Sequence, residues 1–399
     1  MRLGLHYHIP FIYNSSDNSL YTASYFGVFV DGLLKEVTEL VIFGYIVTSE
    51  ESNTCNYKIE SQNYKFVSLG IRNSVPKRLL RSGRYFTQLK KHLKELDSFI
   101  IRTPTPMIIP SSYIKSSKIH PLVVGEYENA INTTPKGFRG NMLKRLYRWM
   151  WSKEKSIVNR NLSFTNSNQI LNNYKSSAKQ ILQIKTTTIH ESDAYQRNDT
   201  CINPIINLLY VGRLDPMKNI EGIIEAVDVL NKTTNNQFFL HLAYLEEPYG
   251  LMYRDKLESY ATELDVKDKI IFHGQKTVGE ELNAIYRNAD IFIIASLTEG
   301  FPRVIWESMI NSCPVIATRV GSIPFSLTDG QNARLIDPGN NLQIKDAILE
   351  MVNNGDLRRN IIANAMETVL ENTIEKQSKI LIDLIFKSDV NKNNKNSLS

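Results

Sequence analysis

Short apolar runs alternate with helical segments throughout the C-terminal half of the sequence, and this alternation constrains the fold more than any other feature. The apolar runs cover residues 208–211, 238–242, 270–272, 291–295 and 314–317. Strands that follow one another through helices form parallel sheets, because a parallel connection needs a long crossover. In the N-terminal half, similar runs cover residues 3–5, 40–46, 66–69, 99–101, 122–124 and 187–189. The sequence therefore predicts an α/β protein with two Rossmann-like, doubly wound domains.

The length of 399 residues fits two domains of ordinary size. The polar segment 191–204 separates the two sets of apolar runs. We therefore expect an N-terminal domain over 1–190, a linker over 191–204 and a C-terminal domain over 205–386. Residues 387–399 are rich in Asn, Lys and Ser and have no apolar periodicity, which predicts a disordered tail.

Several features predict a cytoplasmic location. No apolar run reaches the length of about 18 residues that spans a bilayer. The first residues lack the charged and apolar regions of a secretory signal. The three cysteines, Cys55, Cys201 and Cys313, are far apart and odd in number, which argues against a disulfide framework and for a reducing compartment.

Charge is distributed unevenly between the two halves. Residues 1–200 contain 27 Lys and Arg against 15 Asp and Glu, whereas residues 201–399 contain 20 against 26. Two stretches, 75–96 and 138–155, combine cations with apolar residues at helical spacing, which is typical of helices that lie on anionic membranes. The alternative is that each apolar stripe packs in the domain core. The excess of positive charge in the N-terminal half is the only feature that suggests a nucleic-acid partner. We therefore do not expect nucleic acid to bind.

The loop after residues 208–211 carries groups suited to a diphosphate. Ligands of doubly wound sheets bind outside the carboxyl ends of the strands, where this loop lies. Gly212 lets a ligand approach the backbone, and the cations of Arg213 and Lys218 can together neutralise a diphosphate. The alternative is a solvated loop with unrelated charges.

The loop after residues 291–295 leads into a predicted helix over 303–311. A helix start presents unpaired N–H groups, so a phosphate can dock near Pro302 and Val304, and Gly300 keeps that approach open. Glu307 lies about 7.5 Å further along the helix, where it can accept ribose hydroxyls. Glu299 precedes the helix and lies on the other side of that phosphate position, where its carboxylate can hold the hydroxyl groups of a sugar. The alternative is two exposed acids near a helix start.

The two carboxylates in this region form a recognisable motif. Glu299 and Glu307 are separated by seven residues in the segment EGFPRVIWE. This segment resembles the hallmark of the retaining GT-B glycosyltransferases of group 1. The similarity covers residues 208–338 and includes the segments VGRL, HG, YRNAD and PVIAT in that order. It implies two Rossmann-like domains that face a cleft, with a nucleotide sugar on the C-terminal domain and an acceptor on the basic N-terminal domain.

The resemblance also implies roles for individual residues. Arg213 and Lys218 would bind the donor diphosphate during catalysis, Glu299 would hold the donor sugar, and Glu307 would bind the ribose. The base-binding loop would lie at Gly274 and Gln275. Further implied contacts to the donor are Gly212, Gly300, Phe301, Pro302 and, in the glycine-containing first loop of the N-terminal domain, Gly27.

Three residues are candidates for the acceptor side. Many members of the family carry a histidine after the fifth strand, where this sequence has Glu126. Glu126 is a candidate for a polar role there, and the alternative is a surface carboxylate at a strand end. His6 and His8 alternate in the first predicted strand and so face the same side. They are further candidates, and the alternative is that they are packed or hydrogen-bonded.

Family members that build bacterial surface polysaccharides use lipid-diphosphate acceptors at the inner face of the cytoplasmic membrane, and a basic acceptor domain suits such a substrate. We therefore expect a retaining hexosyltransferase of capsule, O-antigen or exopolysaccharide biosynthesis that contacts the membrane peripherally. The family is metal-independent in general, and the sequence has no cluster with metal-ligand spacing, so no cofactor or metal is expected. The alternatives are a sugar-nucleotide epimerase and a non-catalytic partner of another transferase.

Overall fold

The computed structural model describes residues 1–47, 54–72, 74–244 and 248–396. The chain divides into two compact units: unit 1 consists of Met1–Thr186 and Ile374–Ser399, and unit 2 consists of Thr187–Thr373. Each unit contains a mainly parallel sheet with an apolar core on both faces. The predicted α/β class with two doubly wound domains is confirmed.

Unit 1 contains a sheet of nine strands among the described residues. The strands are β1 (Arg2–Asn14), β2 (Ser19–Thr22), β3 (Glu39–Ile46), β4 (Tyr57–Lys58), β5 (Tyr64–Ile71), β6 (Ser98–Thr103), β7 (Ile119–Val123), β8 (Leu162–Thr165) and β9 (Gln180–Gln183). The parallel strands follow the order β5-β3-β1-β6-β7-β8-β9, and β2 and β4 add an antiparallel extension to the far end of β1. The helices are α1 (Ser24–Glu36), α2 (Val75–Leu80), α3 (Ser82–His92), α4 (Ile108–Ser112), α5 (Tyr127–Thr133), α6 (Phe138–Val158), α7 (Asn168–Lys175) and α14 (Ile374–Asn396).

Alternating side chains of the unit 1 strands fill two cores. On one face, Leu3 and Leu5 of β1 pack with α1 and α14, and on the other face Phe43 and Phe99 pack with α3, α4 and α6. Helix α14 approaches α1 so closely that a Cβ atom on Gly32 would lie 2.6 Å from side-chain atoms of α14. The C-terminal helix therefore completes the core of unit 1.

Unit 2 has the strand order of a dinucleotide-binding fold. Its strands among the described residues are β10 (Ile205–Gly212), β11 (Gln237–Tyr244), β12 (Ile270–Gly274), β13 (Ile291–Ile294), β14 (Val315–Thr318) and β15 (Arg334–Ile336). They are parallel and follow the order β12-β11-β10-β13-β14-β15. The helices are α8 (Ile220–Thr233), α9 (Pro248–Glu263), α10 (Glu280–Asn288), α11 (Val304–Ile310), α12 (Asn341–Asn353) and α13 (Gly355–Leu370). The order reverses between β10 and β13, which is where such sheets bind ligands.

Two predicted boundaries at the C-terminus are wrong. Residues from Ile374 onwards belong to unit 1 and not to the C-terminal domain predicted over 205–386. Helix α14 also continues to Asn396, so most of the predicted disordered tail is helical. The first turns of α14 bury Ile374, Leu381 and Ile385 in unit 1, and a helix anchored in this way extends at little cost because each added residue forms one backbone hydrogen bond. Residues 397–399 lie outside the described residues.

The predicted linker over 191–204 is also wrong, because this segment packs against unit 2. The guanidinium group of Arg197 donates to the backbone carbonyls of Arg287, Ala289 and Ser312 at 2.6–3.0 Å. Asp199 pairs with Arg358 at 2.6 Å. These polar side chains satisfy carbonyls and charges of the domain, so the polar composition does not mark a solvated linker. The run 187–189, predicted as a strand, has no regular structure, and Ile189 is buried in unit 2.

The two basic stretches form different structures. Residues 75–96 form two helices, α2 and α3, and the apolar side of α3 is buried through Tyr85 and Leu89 in the core of unit 1. Helix α6 is buried mainly through its last turns, whereas its first half leaves Phe138 and Met142 exposed. Within the described part of the chain, no helix is both long and apolar enough to cross a membrane.

Candidate active site

The loops that follow β10 and β13 meet at the point where the strand order of unit 2 reverses. The backbone N–H of Leu297, after β13, donates to the carbonyl of Met217, after β10, at 2.8 Å. Thr318 at the end of β14 donates its hydroxyl to the carbonyl of Ser296 at 2.7 Å. Neighbouring strand ends therefore hold the two predicted ligand loops together.

A short turn positions the cations of the first loop. The Asp215 carboxylate accepts from the backbone N–H of Met217 at 2.8 Å and caps a single 3₁₀ turn over Pro216–Lys218. The Tyr210 hydroxyl donates to the carbonyl of Arg213 at 2.7 Å. Burial raises the pKa of Tyr210, and the negative charge of Glu299 raises it further, so this hydroxyl stays protonated and donating. The turn leaves the Arg213 side chain exposed and directs Lys218 inward.

Lys218 and Glu299 form an ion pair inside the site. The Lys218 Nζ lies 2.5 Å from Glu299 Oε1, and the two side chains are only 15% and 12% exposed. The Ser296 hydroxyl donates to the same carboxylate oxygen at 2.8 Å. The sequence assigned these two charges to different parts of a donor, and the structure joins them directly.

Glu307 lies on α11 and is held by two hydroxyl groups. Its carboxylate accepts from Thr188 Oγ1 at 3.1 Å and from Tyr286 Oη at 3.2 Å. Burial raises the pKa of Tyr286 well above its usual value, and the charge of Glu307 adds to the effect. Glu307 itself is 8% exposed. The two donors therefore fix the orientation of a nearly buried carboxylate.

These residues surround one cavity of about 240 Å³. It is lined by Tyr210, Val211, Gly212, Arg213, Lys218, Ile294, Glu299, Phe301, Pro302, Arg303, Val304 and Glu307. The structure thus brings together eight of the predicted donor residues, and it adds Arg303 as a third cation that sequence reasoning missed. Arg303 lies between Pro302 and Val304, two predicted contacts in the segment EGFPRVIWE. Its position in that segment was the signal that could have identified it. Residues of β10 and β13, the two strands between which the strand order reverses, form part of the cavity lining.

Two glycines shape the loop that carries Glu299. A Cβ atom on Gly300 would meet no atom within 4 Å, so the space beside this residue is open. Gly300 itself is not among the residues that line the cavity, although its neighbours Glu299 and Phe301 are. Gly321 has a φ of +56°, and a Cβ atom there would lie 2.0 Å from the carbonyl oxygen of Glu299. The backbone N–H of Ser322 donates to the carbonyl of Gly300 at 2.7 Å. Gly321 therefore lets the following turn support the loop, a role that sequence reasoning did not assign.

Gly274 and Gln275 do not line the cavity. Gly274 is the last residue of β12 and Gln275 follows it, and β12 is the edge strand that β11 separates from β10. Gly274 has a left-handed backbone with a φ of +68°, and Gln275 is exposed. Their predicted contact with the base stays a prediction.

Gly27 differs from its prediction. It lies within α1 and not in a loop, because the helix already begins at Ser24. A Cβ atom on Gly27 would lie 2.2 Å from the ring of Tyr57, so the glycine allows that ring to pack on the helix. Packing within unit 1 therefore explains this residue without a donor contact.

His6, predicted as an acceptor-side candidate, is a core residue. It is fully buried, and its ring nitrogens bond to the carbonyl of Phe43 at 2.8 Å and to Thr105 Oγ1 at 3.2 Å. Burial lowers the pKa of His6 to about 3. Both nitrogens are thus engaged inside unit 1, and His6 has no free group for a substrate.

His8 and Glu126 have different surroundings. His8 is only partly buried and lies near the carboxyl ends of the unit 1 strands. Glu126 follows β7 and accepts hydrogen bonds from Gln169 at 3.2 Å and Asn173 at 2.9 Å, both on α7. Burial raises the pKa of Glu126. Glu126 therefore connects β7 with α7, as expected of a structural carboxylate.

The sequence of unit 2 matches a known family. Residues 204–368 match the family model described as glycosyl transferases group 1. An uncharacterized glycosyltransferase of Methanocaldococcus jannaschii is 30% identical over 159 residues, which are 40% of this chain and 42% of the relative. A D-inositol 3-phosphate glycosyltransferase of Acidothermus cellulolyticus is 29% identical over 174 residues, which are 42% of this chain and 39% of the relative. The chain thus matches about two fifths of the length of these curated relatives.

Solved structures share the fold over nearly the whole chain. HepE of Anabaena, solved in complex with UDP, has a TM-score of 0.69 at 13% identity and covers 97% of this chain and 99% of its own. Sucrose-phosphate synthase of Thermosynechococcus elongatus has a TM-score of 0.70 at 17% identity and covers 97% of this chain and 98% of its own. The predicted GT-B fold is confirmed.

Proposed function

We propose that this chain, whose residues 204–368 match the family model of the group 1 glycosyl transferases, transfers a sugar from a nucleotide-sugar donor to a hydroxyl group of an acceptor. The observation that carries the proposal is the cavity at the switch point of unit 2. It holds two predicted cations and two predicted carboxylates at the place where this fold binds nucleotides.

The cavity offers a complementary group for each part of the donor. Arg213 is exposed, so its guanidinium group can reach a diphosphate and bind it with a two-pronged contact. Lys218 is available to the same diphosphate if it exchanges its contact with Glu299. Glu299, released from that contact, can then accept hydrogen bonds from the sugar. Glu307 is oriented to accept from the ribose hydroxyls.

The proposed reaction retains the anomeric configuration. The bond between the anomeric carbon and the diphosphate oxygen breaks, and the acceptor oxygen forms its bond to that carbon on the same face. The acceptor proton passes to the departing diphosphate, whose charge is offset by Arg213 and Lys218. These side chains stabilise the charge that develops on the leaving group, and the proposal invokes no metal ion.

A uridine nucleotide is the first donor to test. HepE of Anabaena, which shares the fold, has been solved with UDP and with UDP-glucose. The cavity residues of this chain do not distinguish uracil from other bases, because the predicted base loop at Gly274 and Gln275 lies outside the cavity.

The proposed acceptor is a glycan or lipid-linked diphosphate of surface-polysaccharide biosynthesis, carried by unit 1 at a membrane. Helix α6 supports membrane contact. Phe138, Met142 and Trp149 on this helix are exposed by 81%, 58% and 45%, and Arg145 is an exposed cation on the same side. Apolar side chains flanked by cations favour an anionic lipid surface.

Co-sedimentation with vesicles tests the membrane contact. Trp149→Ala should weaken binding to vesicles that contain phosphatidylglycerol, whereas Tyr249→Ala, at an exposed aromatic residue of unit 2, should not. Equal binding of both variants, or no binding of the unchanged protein, would remove the membrane from the proposal.

A thermal-shift panel tests the donor assignment. UDP-glucose, GDP-mannose and ADP-glucose are compared on the unchanged protein and on Arg213→Ala. One donor class should raise the melting temperature, by an amount equivalent to about 2.7 kcal/mol at a concentration 100 times its Kd. The control is Arg254→Ala, which removes a cation of α9 that pairs with Glu258 outside the cavity. The shift should survive in the control and disappear in Arg213→Ala. No shift with any donor would refute the assignment.

A further inference from the structure

The loop that carries Arg213 and Lys218 ends at a residue with a left-handed backbone. We call residues 213–219, which connect β10 to α8, the β10–α8 loop. Its 3₁₀ turn ends at Lys218, and the next residue, Asn219, has a φ of +51° and is the N-cap of α8. This conformation is unfavourable for a residue with a side chain, although asparagine tolerates it better than most. The direction in which the chain leaves Lys218 therefore depends on how Asn219 is held.

The side chain of Asn219 is held by Asn341, the first residue of α12. The Nδ2 group of Asn219 donates to Oδ1 of Asn341 at 3.0 Å, between residues 122 positions apart in the sequence. Asn341 donates its own Nδ2 group to Oε2 of Glu225 on α8 at 2.7 Å. Because a carboxylate only accepts hydrogen bonds, the amino group of Asn341 must face Glu225, and its oxygen must face Asn219.

Glu225 is itself fixed by a third helix. Its Oε1 atom accepts from the hydroxyl group of Tyr260 on α9 at 2.6 Å. The hydrogen bond to Glu225 raises the pKa of Tyr260 to about 12, so this hydroxyl group stays protonated and donating. The four side chains thus form a chain of hydrogen bonds that runs from α9 through α8 and α12 to the end of the β10–α8 loop.

A glycine in the first turn of α8 makes room for the two amides. Gly222 is buried, and a Cβ atom at this position would lie 2.4 Å from Oδ1 of Asn341 and 2.9 Å from Nδ2 of Asn219. Cβ atoms do not approach other heavy atoms this closely, so any larger residue would displace the pair. Glycine is also an unfavourable residue inside a helix. The contact between Asn219 and Asn341 therefore accounts for a glycine that the helix alone does not need.

We infer that Asn341 is a positioning residue, which orders the β10–α8 loop and thereby keeps Lys218 directed into the cavity. Asn341 is not among the residues that line the cavity, so it acts through Asn219. A ligand binds more weakly when only a fraction of the protein has its site in the competent conformation. That Lys218 meets a diphosphate rests on the proposed function, whereas the ordering of the loop by Asn341 does not.

Calorimetric titration of the full chain with UDP, GDP and ADP tests the effect on binding. Asn341→Ala should weaken binding of the nucleotide about fivefold, which is the usual effect of one hydrogen bond. Gly222→Ala, which leaves Asn341 in place but crowds it, should act in the same direction. Circular dichroism melting checks that both variants are folded. Unchanged affinity in both folded variants would overturn the inference.

The matched control is Asn354→Ala. Asn354 caps α13 by accepting from the backbone N–H of Leu357 at 3.0 Å, and it belongs neither to the cavity nor to the β10–α8 loop. This variant should lose stability but keep the affinity of the unchanged protein for the nucleotide. An equal loss of affinity in Asn354→Ala would show that any loosening of unit 2 weakens binding, and would overturn the specific role of Asn341.

An exchange of charge separates the hydrogen bonds from the size of the side chain. In Asn341→Asp, carboxylates at positions 341 and 225 repel each other, so the affinity for the nucleotide should fall. Adding Glu225→Gln places an amide at position 225 that can donate to position 341 and still accept from Tyr260. The double variant should recover the affinity of the unchanged protein. Failure to recover would contradict the role of the hydrogen-bonded chain.

Hydrogen exchange without a nucleotide distinguishes a failure of the inference from a failure of the proposed function. The backbone N–H groups of Lys218 and Asn219 donate within the turn at 2.8 and 3.1 Å. They should exchange faster in Asn341→Ala than in the unchanged protein and in Asn354→Ala. Equal exchange would overturn the inference whether or not a nucleotide binds. Faster exchange in Asn341→Ala, together with no binding of UDP, GDP or ADP by the unchanged protein, would support the ordering of the loop and refute the donor site.

Discussion

Lys218 donates a hydrogen bond to Glu299 across 2.5 Å, between two side chains that are almost buried. Each residue therefore compensates the charge of the other. In the proposed function, a diphosphate would replace the carboxylate as the partner of Lys218, and sugar hydroxyl groups would replace the ammonium as partners of Glu299. The proposed function therefore requires this ion pair to open when the donor binds.

Glu299→Gln should separate binding from turnover. The variant leaves the Lys218 ammonium without its carboxylate, so the free energy of unfolding of unit 2 should fall by about 2 kcal/mol. UDP supplies a new anion to Lys218 and should bind the variant at least as tightly as the unchanged protein. Turnover of the nucleotide sugar should fall by about 100-fold, because the contact with the sugar is lost. Calorimetry and UDP release measure the two effects, and a parallel loss of UDP affinity would contradict the exchange of partners.

Gly300→Ala should weaken donor binding without a loss of stability, whereas Gly321→Ala should lower the stability of unit 2. The Cβ atom at position 300 meets no neighbour, so this variant should melt like the unchanged protein but bind the donor more weakly. At position 321 the φ of +56° and the carbonyl of Glu299 at 2.0 Å leave no room, so stability should fall by about 1–3 kcal/mol. Thermal melting with and without UDP distinguishes them. Unchanged donor affinity in folded Gly300→Ala would show that position 300 is not part of the site.

His6 should make the stability of unit 1 depend on pH. Its pKa is lowered to about 3 in the folded state, against about 6.5 in the unfolded chain. Below pH 6.5 the unfolded chain therefore binds a proton that the folded protein does not. The contribution is complete above pH 6.5 and falls by about 1.4 kcal/mol per pH unit on acidification. Urea unfolding between pH 7.5 and 5.5 gives the free energy of unfolding at each pH. This free energy should depend less steeply on pH in His6→Asn than in the unchanged protein, and an identical pH dependence would contradict the assignment.

Leu381→Ala tests whether α14 belongs to unit 1. Leu381 is fully buried in the unit 1 core, so its truncation should lower the stability of that unit by about 2–5 kcal/mol. The matched control is Ile380→Ala on the same helix, where the side chain is 41% exposed and the loss should be small. Calorimetric unfolding should show the transition of unit 1 shifted and the transition of unit 2 in place. A shift of the unit 2 transition instead would contradict the assignment.

The sequence correctly predicted the structural features that depend on short segments of the chain. The strands of unit 2 and the loops after β10 and β13 follow from local apolar runs and turn residues, so the predicted cations and carboxylates were found around one cavity. The partners of those residues could not be predicted. Thr188 bonds to Glu307 from 119 positions away, and Lys218 bonds to Glu299 from 81 positions away. Such contacts arise from tertiary packing and leave no periodic pattern.

The errors share the same physical origin. Polar residues 191–204 resemble a linker in composition, yet Arg197 uses its polarity to satisfy carbonyls of unit 2. His6 and His8 alternate in the same strand, but only the structure shows that the first is fully buried and the second is partly buried. Helix α14 returns to unit 1 because its apolar side chains match α1, which no local pattern reveals.

Release of UDP from UDP-glucose tests the central claim most directly, because it needs no known acceptor. The unchanged protein should release UDP slowly by hydrolysis, and faster when a suitable acceptor is added. Arg213→Ala and Glu307→Gln should each reduce the release by about tenfold or more, while Arg254→Ala should match the unchanged protein. If none of UDP-, GDP- and ADP-sugars is turned over, or if Arg213→Ala is as active as Arg254→Ala, the cavity of unit 2 is not the donor site of a glycosyltransferase.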